Sequence, residues 1–129
     1  MASLKPYVAV DRYKPFDGDT QLMPGIRAVP ALGHTPGHTV YSIESDGARM
    51  VVWGDLMHVA AVQFAMPDVT IAFDSDPKAA APARKKHFAD AAKNGYYAAI
   101  AHVSFPGIGR LRADGKGYDW LPANYQSAP

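Results

Sequence analysis

Two short apolar runs, Met50-Val51-Val52-Trp53 and Tyr97-Ala98-Ala99-Ile100-Ala101, constrain this chain more than anything else in it. An uninterrupted run such as the first reads as a strand buried on both faces, and the second is a further buried-strand candidate. Between them stands Asp76-Pro77, an N-cap residue followed by the ring that suits the first helical position, and Gly95 supplies a stop. A helix is therefore expected over 76–94. Ala80, Ala83, Phe88, Ala91 and Ala92 form its apolar side, while Arg84, Lys85, Lys86 and Lys93 are expected to face water with His87 among them. Around this unit, Ile26–Val29 reads as a strand closed by Pro30. Thr39–Glu44 and Arg49–Trp53 read as a hairpin turning at Ser45-Asp46-Gly47, and Gly109–Leu121 as another turning at Asp114-Gly115. Val69–Phe73 is read as a further strand, residues 56–64 as a short helical or irregular segment, and residues 3–10 as a frayed helix limited by Pro6 and Pro15.

A length of 129 residues suits one domain, 1–129, and 48% hydrophobic against 19% charged residues gives it material for a core. A formal net charge of +1 provides no field to gather nucleic acid or an anionic membrane, so neither is expected as a partner. The absence of cysteine excludes disulfides, a thiol nucleophile and a Cys-ligated zinc site. No run approaches the roughly 18 apolar residues of a membrane span. The start, Met1 to Val8, shows no signal peptide, so a soluble, cytoplasmic protein is the default expectation with the compartment open.

Three residues stand where chemistry is usually built. His38 lies in the loop Gly33-His34-Thr35-Pro36-Gly37-His38, Asp55 follows the first apolar run, and His102 follows the second. Residues just past strand ends line a common sheet edge. Two imidazoles and a carboxylate there suit zinc or a similar divalent ion. Each also has a plainer reading: His38 as a turn residue, Asp55 as a cap, His102 as a strand-end histidine. His34 is read as a loop histidine that fixes the turn through its ring. His58 is either a hydrogen-bond partner of Asp55 on a shared helical face or a histidine at the core edge. Ser42, Ser75 and Ser104 lack a nucleophile elbow, and no phosphate loop or dinucleotide fingerprint is present. Phe64, Phe73, Phe105 and Trp120 are expected in the core.

The order Gly33-His-Thr-Pro-Gly-His38-Thr, Val51-Val-Trp-Gly-Asp55-Leu-Met-His58 and Ala101-His102 resembles the second half of the metallo-β-lactamase-fold hydrolases. Gly54-Asp55-Leu-Met-His58-Val-Ala-Ala, Thr70-Ile-Ala-Phe-Asp74 and Phe105-Pro-Gly-Ile-Gly109 are similar to the branch of methyl parathion hydrolase and related lactonase-like enzymes. The resemblance runs from about Lys14 to Tyr125. It implies an α/β (α+β) fold, the C-terminal half of an αββα sandwich, with one mostly antiparallel or mixed sheet and helices on one face. It further implies one or two zinc ions, with His38 a ligand of the first, His102 of the second and Asp55 bridging both. Asp55 and His58 carry the catalytic roles, His58 by steadying Asp55 or the substrate. The implied reaction is hydrolysis of a small-molecule ester, lactone or phosphotriester.

The family's first metal motif, His-x-His-x-Asp-His, is absent, since no two of the five histidines are two apart. The chain is thus expected to be a half-domain that needs either a homodimer or a missing N-terminal half for activity. A non-catalytic truncated subunit that keeps vestigial metal-site residues is the alternative.

Overall fold

A computed structural model describes residues 2–125. After a 3-10 turn (Ala2–Leu4) and a short helix α1 (Lys5–Ala9), the chain builds a seven-stranded sheet. The strands are β1 (Thr20–Met23), β2 (Ile26–Pro30), β3 (Thr39–Ser45), β4 (Ala48–Gly54), β5 (Tyr97–Ile100), β6 (Ile108–Asp114) and β7 (Gly117–Pro122). They lie side by side in sequence order. Every neighbouring pair is antiparallel except β4 and β5, which run parallel. A parallel pair needs a crossover. Residues 55–96 provide it through α2 (Ala60–Gln63) and the long helix α3 (Pro77–Asn94).

Helix α3 starts and stops as its sequence dictates. The Asp76 carboxylate accepts the Lys78 and Ala79 amides at 3.0 and 3.2 Å, satisfying two of the free N–H groups of the first turn. Gly95 ends it in the left-handed conformation at φ 65°. The core lies between α3 and one sheet face. Phe88 stacks on Trp53 with ring centroids 5.2 Å apart, and Phe64 stacks on Trp120 at 5.7 Å. Val40, Val51, Ala98, Ile100 and Leu111 complete that face and are all buried.

The apolar runs are therefore covered on one side only. Val51 and Trp53 point into the core, while the alternate residues Met50 and Val52 are half-buried on the opposite face. The register aligns Tyr41, Val52, Ala99 and Ile108 in one row across four strands, and Ile43, Met50 and Tyr97 in the next. That second face is an open apolar surface. The architecture is a mixed α/β layer, a mostly antiparallel sheet covered by helices on one face, as expected.

Three expectations need correction. Residues 69–73 form no strand: 69–71 are irregular and Ala72-Phe73 lie in a turn. Side chains take their backbone groups instead: Gln63 and Arg84 donate to the Val69 carbonyl, and the Ile71 amide donates to Asp74. Arg84 and His87 are buried rather than water-facing, because α3 lies with these residues turned toward the crossover and the sheet. Burial first, and the nearby Lys86 charge next, push the His87 pKa down to about 4, so its ring is neutral at pH 7. Phe73 and Phe105 are exposed at 79% and 77%, outside the core that Phe64 and Trp120 help to form. Strand β1 was not expected from the pattern, whereas both hairpins, β2, β5 and the bounds of α3 follow it. Among the described residues, no helix is long and apolar enough to cross a membrane.

Candidate metal centre

The parallel pair delivers two of the expected residues to one edge. Gly54 turns the chain at φ 54° at the end of β4 and is followed by Asp55. His102 comes just after the end of β5. The two side chains meet, with His102 Nε2 at 2.9 Å from Asp55 Oδ1. The second carboxylate oxygen of Asp55 faces a different ring, His34 Nε2, at 3.3 Å.

His34 is held from behind. Its Nδ1 lies 3.2 Å from Asp74 Oδ1, and Asp74 is itself buried. Asp74 Oδ2 accepts the Ile71 amide at 3.1 Å and pairs with the fully buried Arg84 guanidinium at 3.5 Å. With the Nδ1 proton directed at Asp74, a neutral His34 turns its Nε2 lone pair toward Asp55. A lone pair and a carboxylate oxygen at that separation repel unless a proton or cation sits between them.

His58 completes the group. Its ring lies 4.7 Å from that of His34 and stacks on His102 at 4.4 Å, centroid to centroid. The buried Gln63 fixes the local backbone by accepting the His58 and Val59 amides at 2.7 and 2.9 Å. His58 Nδ1 is buried with no hydrogen-bond partner among the described residues. Burial, then the adjacent His102 and His34, lower the His58 pKa; Asp55 and Asp74 oppose the shift. Burial resists ionisation of Asp55, yet the His102 hydrogen bond and the positive potential of His102, His34 and His58 hold its carboxyl below the usual range.

The two loop histidines have the reverse of their expected positions. His38 stands outside the cluster. Its Nδ1 donates to the Ala31 carbonyl at 2.8 Å, and its Nε2 accepts the Asp55 amide at 3.2 Å. Both bonds require one neutral tautomer, whose only lone pair is already taken. His38 thus fixes the backbone of Asp55, and His34 enters the site. His58 does not share a helical face with Asp55 either, since Asp55 and Leu56 lie in a turn and the next helix begins only at Ala60. Asp74 and Arg84 were the residues missed. The available signal was Thr70-Ile-Ala-Phe-Asp74, a carboxylate ending an apolar segment.

The donor atoms fit a divalent ion. Asp55, His58 and His102 offer ligand atoms within 4.8 Å of one another, as do His34, His58 and Asp74. Imidazole and carboxylate are the ligand types zinc accepts. The unpartnered His58 nitrogen and the imidazoles aimed at both oxygens of one carboxylate are the further signs of fit.

Gly33 sets the approach of this loop. Its φ is 129°, and a Cβ there would overlap the Ala80 backbone nitrogen at the start of α3. Its carbonyl accepts the Asp76 amide at 2.8 Å, docking the His34 loop on the helix. Gly33→Ala is expected to lose about 3 kcal/mol of stability and to shift the His34 ring resonances. Urea unfolding and imidazole NMR check this; a change within about 0.5 kcal/mol would contradict it.

No protein-family model matches the chain, and no curated protein matches it. Solved structures do. One neighbour is AidC, a dizinc quorum-quenching lactonase solved in complex with a product; it is 27% identical, with a TM-score of 0.85 over 98% of this chain and 44% of its own. A second is hydrolase AbOPH of the β-lactamase superfamily, 41% identical, with a TM-score of 0.84 over 96% of this chain and 43% of its own. A probable metal-dependent hydrolase from Staphylococcus aureus, 22% identical with a TM-score of 0.73, shares the fold. The chain spans less than half the length of each. By resemblance to the dizinc lactonase and to the hydrolase of the β-lactamase superfamily, this is the fold of a metal-dependent hydrolase.

Proposed function

We propose that this chain is the C-terminal half of a metal-dependent hydrolase in the methyl parathion hydrolase and lactonase-like branch of that superfamily, acting on an ester, lactone or phosphotriester. The observation that carries the reading is Asp55, whose two carboxylate oxygens face two different imidazoles, His34 and His102. The lactonase among the neighbours makes a lactone the first substrate class to test.

His34, Asp55 and His102 are the residues that would hold zinc. When bound, a divalent ion supplies Lewis acidity and a water acidic enough to act as a nucleophile at neutral pH. The chain's own groups do the rest. Asp74 accepts a hydrogen bond from His34 Nδ1 and so fixes which nitrogen is presented. His38 pins the Asp55 amide. His58, stacked on His102 with its Nδ1 unpartnered, is the further imidazole available beside the ion.

Asp55 and His102 are 44% and 42% exposed, so this chain alone does not exclude water from the centre. The open apolar sheet face lacks cover as well. Activity is therefore proposed to need a second protein layer on that face, as a homodimer or a separate N-terminal half.

The test is the zinc-loaded chain, separated by oligomeric state and assayed on N-hexanoyl-homoserine lactone, phenyl acetate and a dimethyl phosphotriester. Turnover that belongs to an assembled species and disappears in Asp55→Ala is expected. Full turnover by a monomer would remove the partner requirement. An assembled, zinc-loaded protein without turnover would favour the non-catalytic subunit.

A further inference from the structure

We infer that the cleft between α3 and strands β2–β4 is a second binding site, built for a small amphiphilic carboxylate. It shares no lining residue with the His/Asp cluster. The cavity holds about 410 Å3, within the range of small-molecule sites.

Its wall has an apolar part and a cationic part. Val29, Val40 and Val51 supply the apolar part from three adjacent strands. Lys86 and Lys93 supply two ammonium groups from α3, both on exposed positions and neither in an ion pair among the described residues. Arg49 lines the same space and donates to the buried Ser42 hydroxyl at 3.0 Å. The single carboxylate in the lining, Asp90, is already engaged. Its Oδ1 accepts Asn94 at 2.8 Å, its Oδ2 accepts the Tyr96 hydroxyl at 2.9 Å, and Arg49 lies 3.8 Å from Oδ2. The cations therefore outnumber the free anions in the cleft.

The second observation is His87. It is 8% exposed, it lines the cavity, and no described residue hydrogen-bonds its ring. The ring is neutral at pH 7 and so offers one N–H and one lone pair to whatever enters. A carboxylate satisfies the N–H and the lysines together, while a short alkyl chain covers the valines.

Octanoate titrated into protein carrying 15N-labelled histidine tests this, with octanol and inorganic phosphate as comparison probes. The His87 ring signals should move saturably with octanoate, and with neither comparison probe at the same concentration. In Lys86→Met/Lys93→Met the apparent affinity should fall at least about tenfold. Ala89→Leu, at an exposed helical position lining the cleft, should weaken binding by filling it and serves if the double variant folds poorly. A silent His87, an equal response to phosphate alone, or octanoate shifts confined to the rings of His34, His58 and His102 would overturn the assignment.

Discussion

Arg84→Met should remove about 3–5 kcal/mol of stability, the usual result of breaking one side of a buried ion pair. Arg84 is fully buried on α3 and spends its donors on four acceptors. Its Nε donates to Leu56 O at 2.9 Å, and Nη1 to Pro67 O and Val69 O at 3.0 and 2.7 Å. Its Nη2 pairs with Asp74 Oδ2 at 3.5 Å. Methionine fills comparable space but leaves the Leu56 and Pro67 carbonyls without a partner and the buried Asp74 carboxylate without its counter-charge. Burial lowers the Arg84 pKa against the pull of Asp74, yet a guanidinium stays charged at any working pH. Arg84→Lys should recover only part of the loss, since one ammonium cannot reproduce the fork. Urea unfolding measures both; a methionine variant within about 1 kcal/mol of the parent would show that the crossover is held by something else.

The second large effect separates the two loop histidines. His34→Ala should weaken zinc binding by about 100-fold or more, beyond the 10–100-fold typical of groups behind the ligands. His38→Ala should keep zinc affinity within about tenfold, and lose stability instead, because the Asp55 amide and the Ala31 carbonyl lose their partner. Competition against a chromophoric chelator gives the affinities. The opposite ranking would return the ligand role to His38.

These two predictions mark the limit of what the residues reveal in one dimension. The bounds of α3 were legible because Asp76, Pro77 and Gly95 act through local backbone chemistry. Both hairpins were legible because Asp46-Gly47 and Asp114-Gly115 force tight turns. Asp55 and His102 could be set on one edge, because each follows an apolar run. The choice between His34 and His38 could not be read, since both sit in one loop and only the fold decides which ring meets a backbone amide. Residues 69–73 failed for a related reason. Their β-branched pattern suits a strand, but the side chains of Gln63, Asp74 and the more distant Arg84 take their backbone groups instead of a neighbouring strand. Arg84 itself was read from its charge, and a buried guanidinium leaves no periodic trace.

The parallel seam between β4 and β5 also bears on how the molecule assembles. Every antiparallel neighbour pair joins strands close in sequence, but this pair must close a loop spanning residues 55–96. Closing a long loop costs chain entropy before any contact repays it, so local hairpins precede it. Asp55 and His102 stand at the two lips of that seam. Neither β1–β4 nor β5–β7 can form the centre alone, and a ligand that grips both lips binds only a chain whose closure is complete, drawing the folding equilibrium toward it.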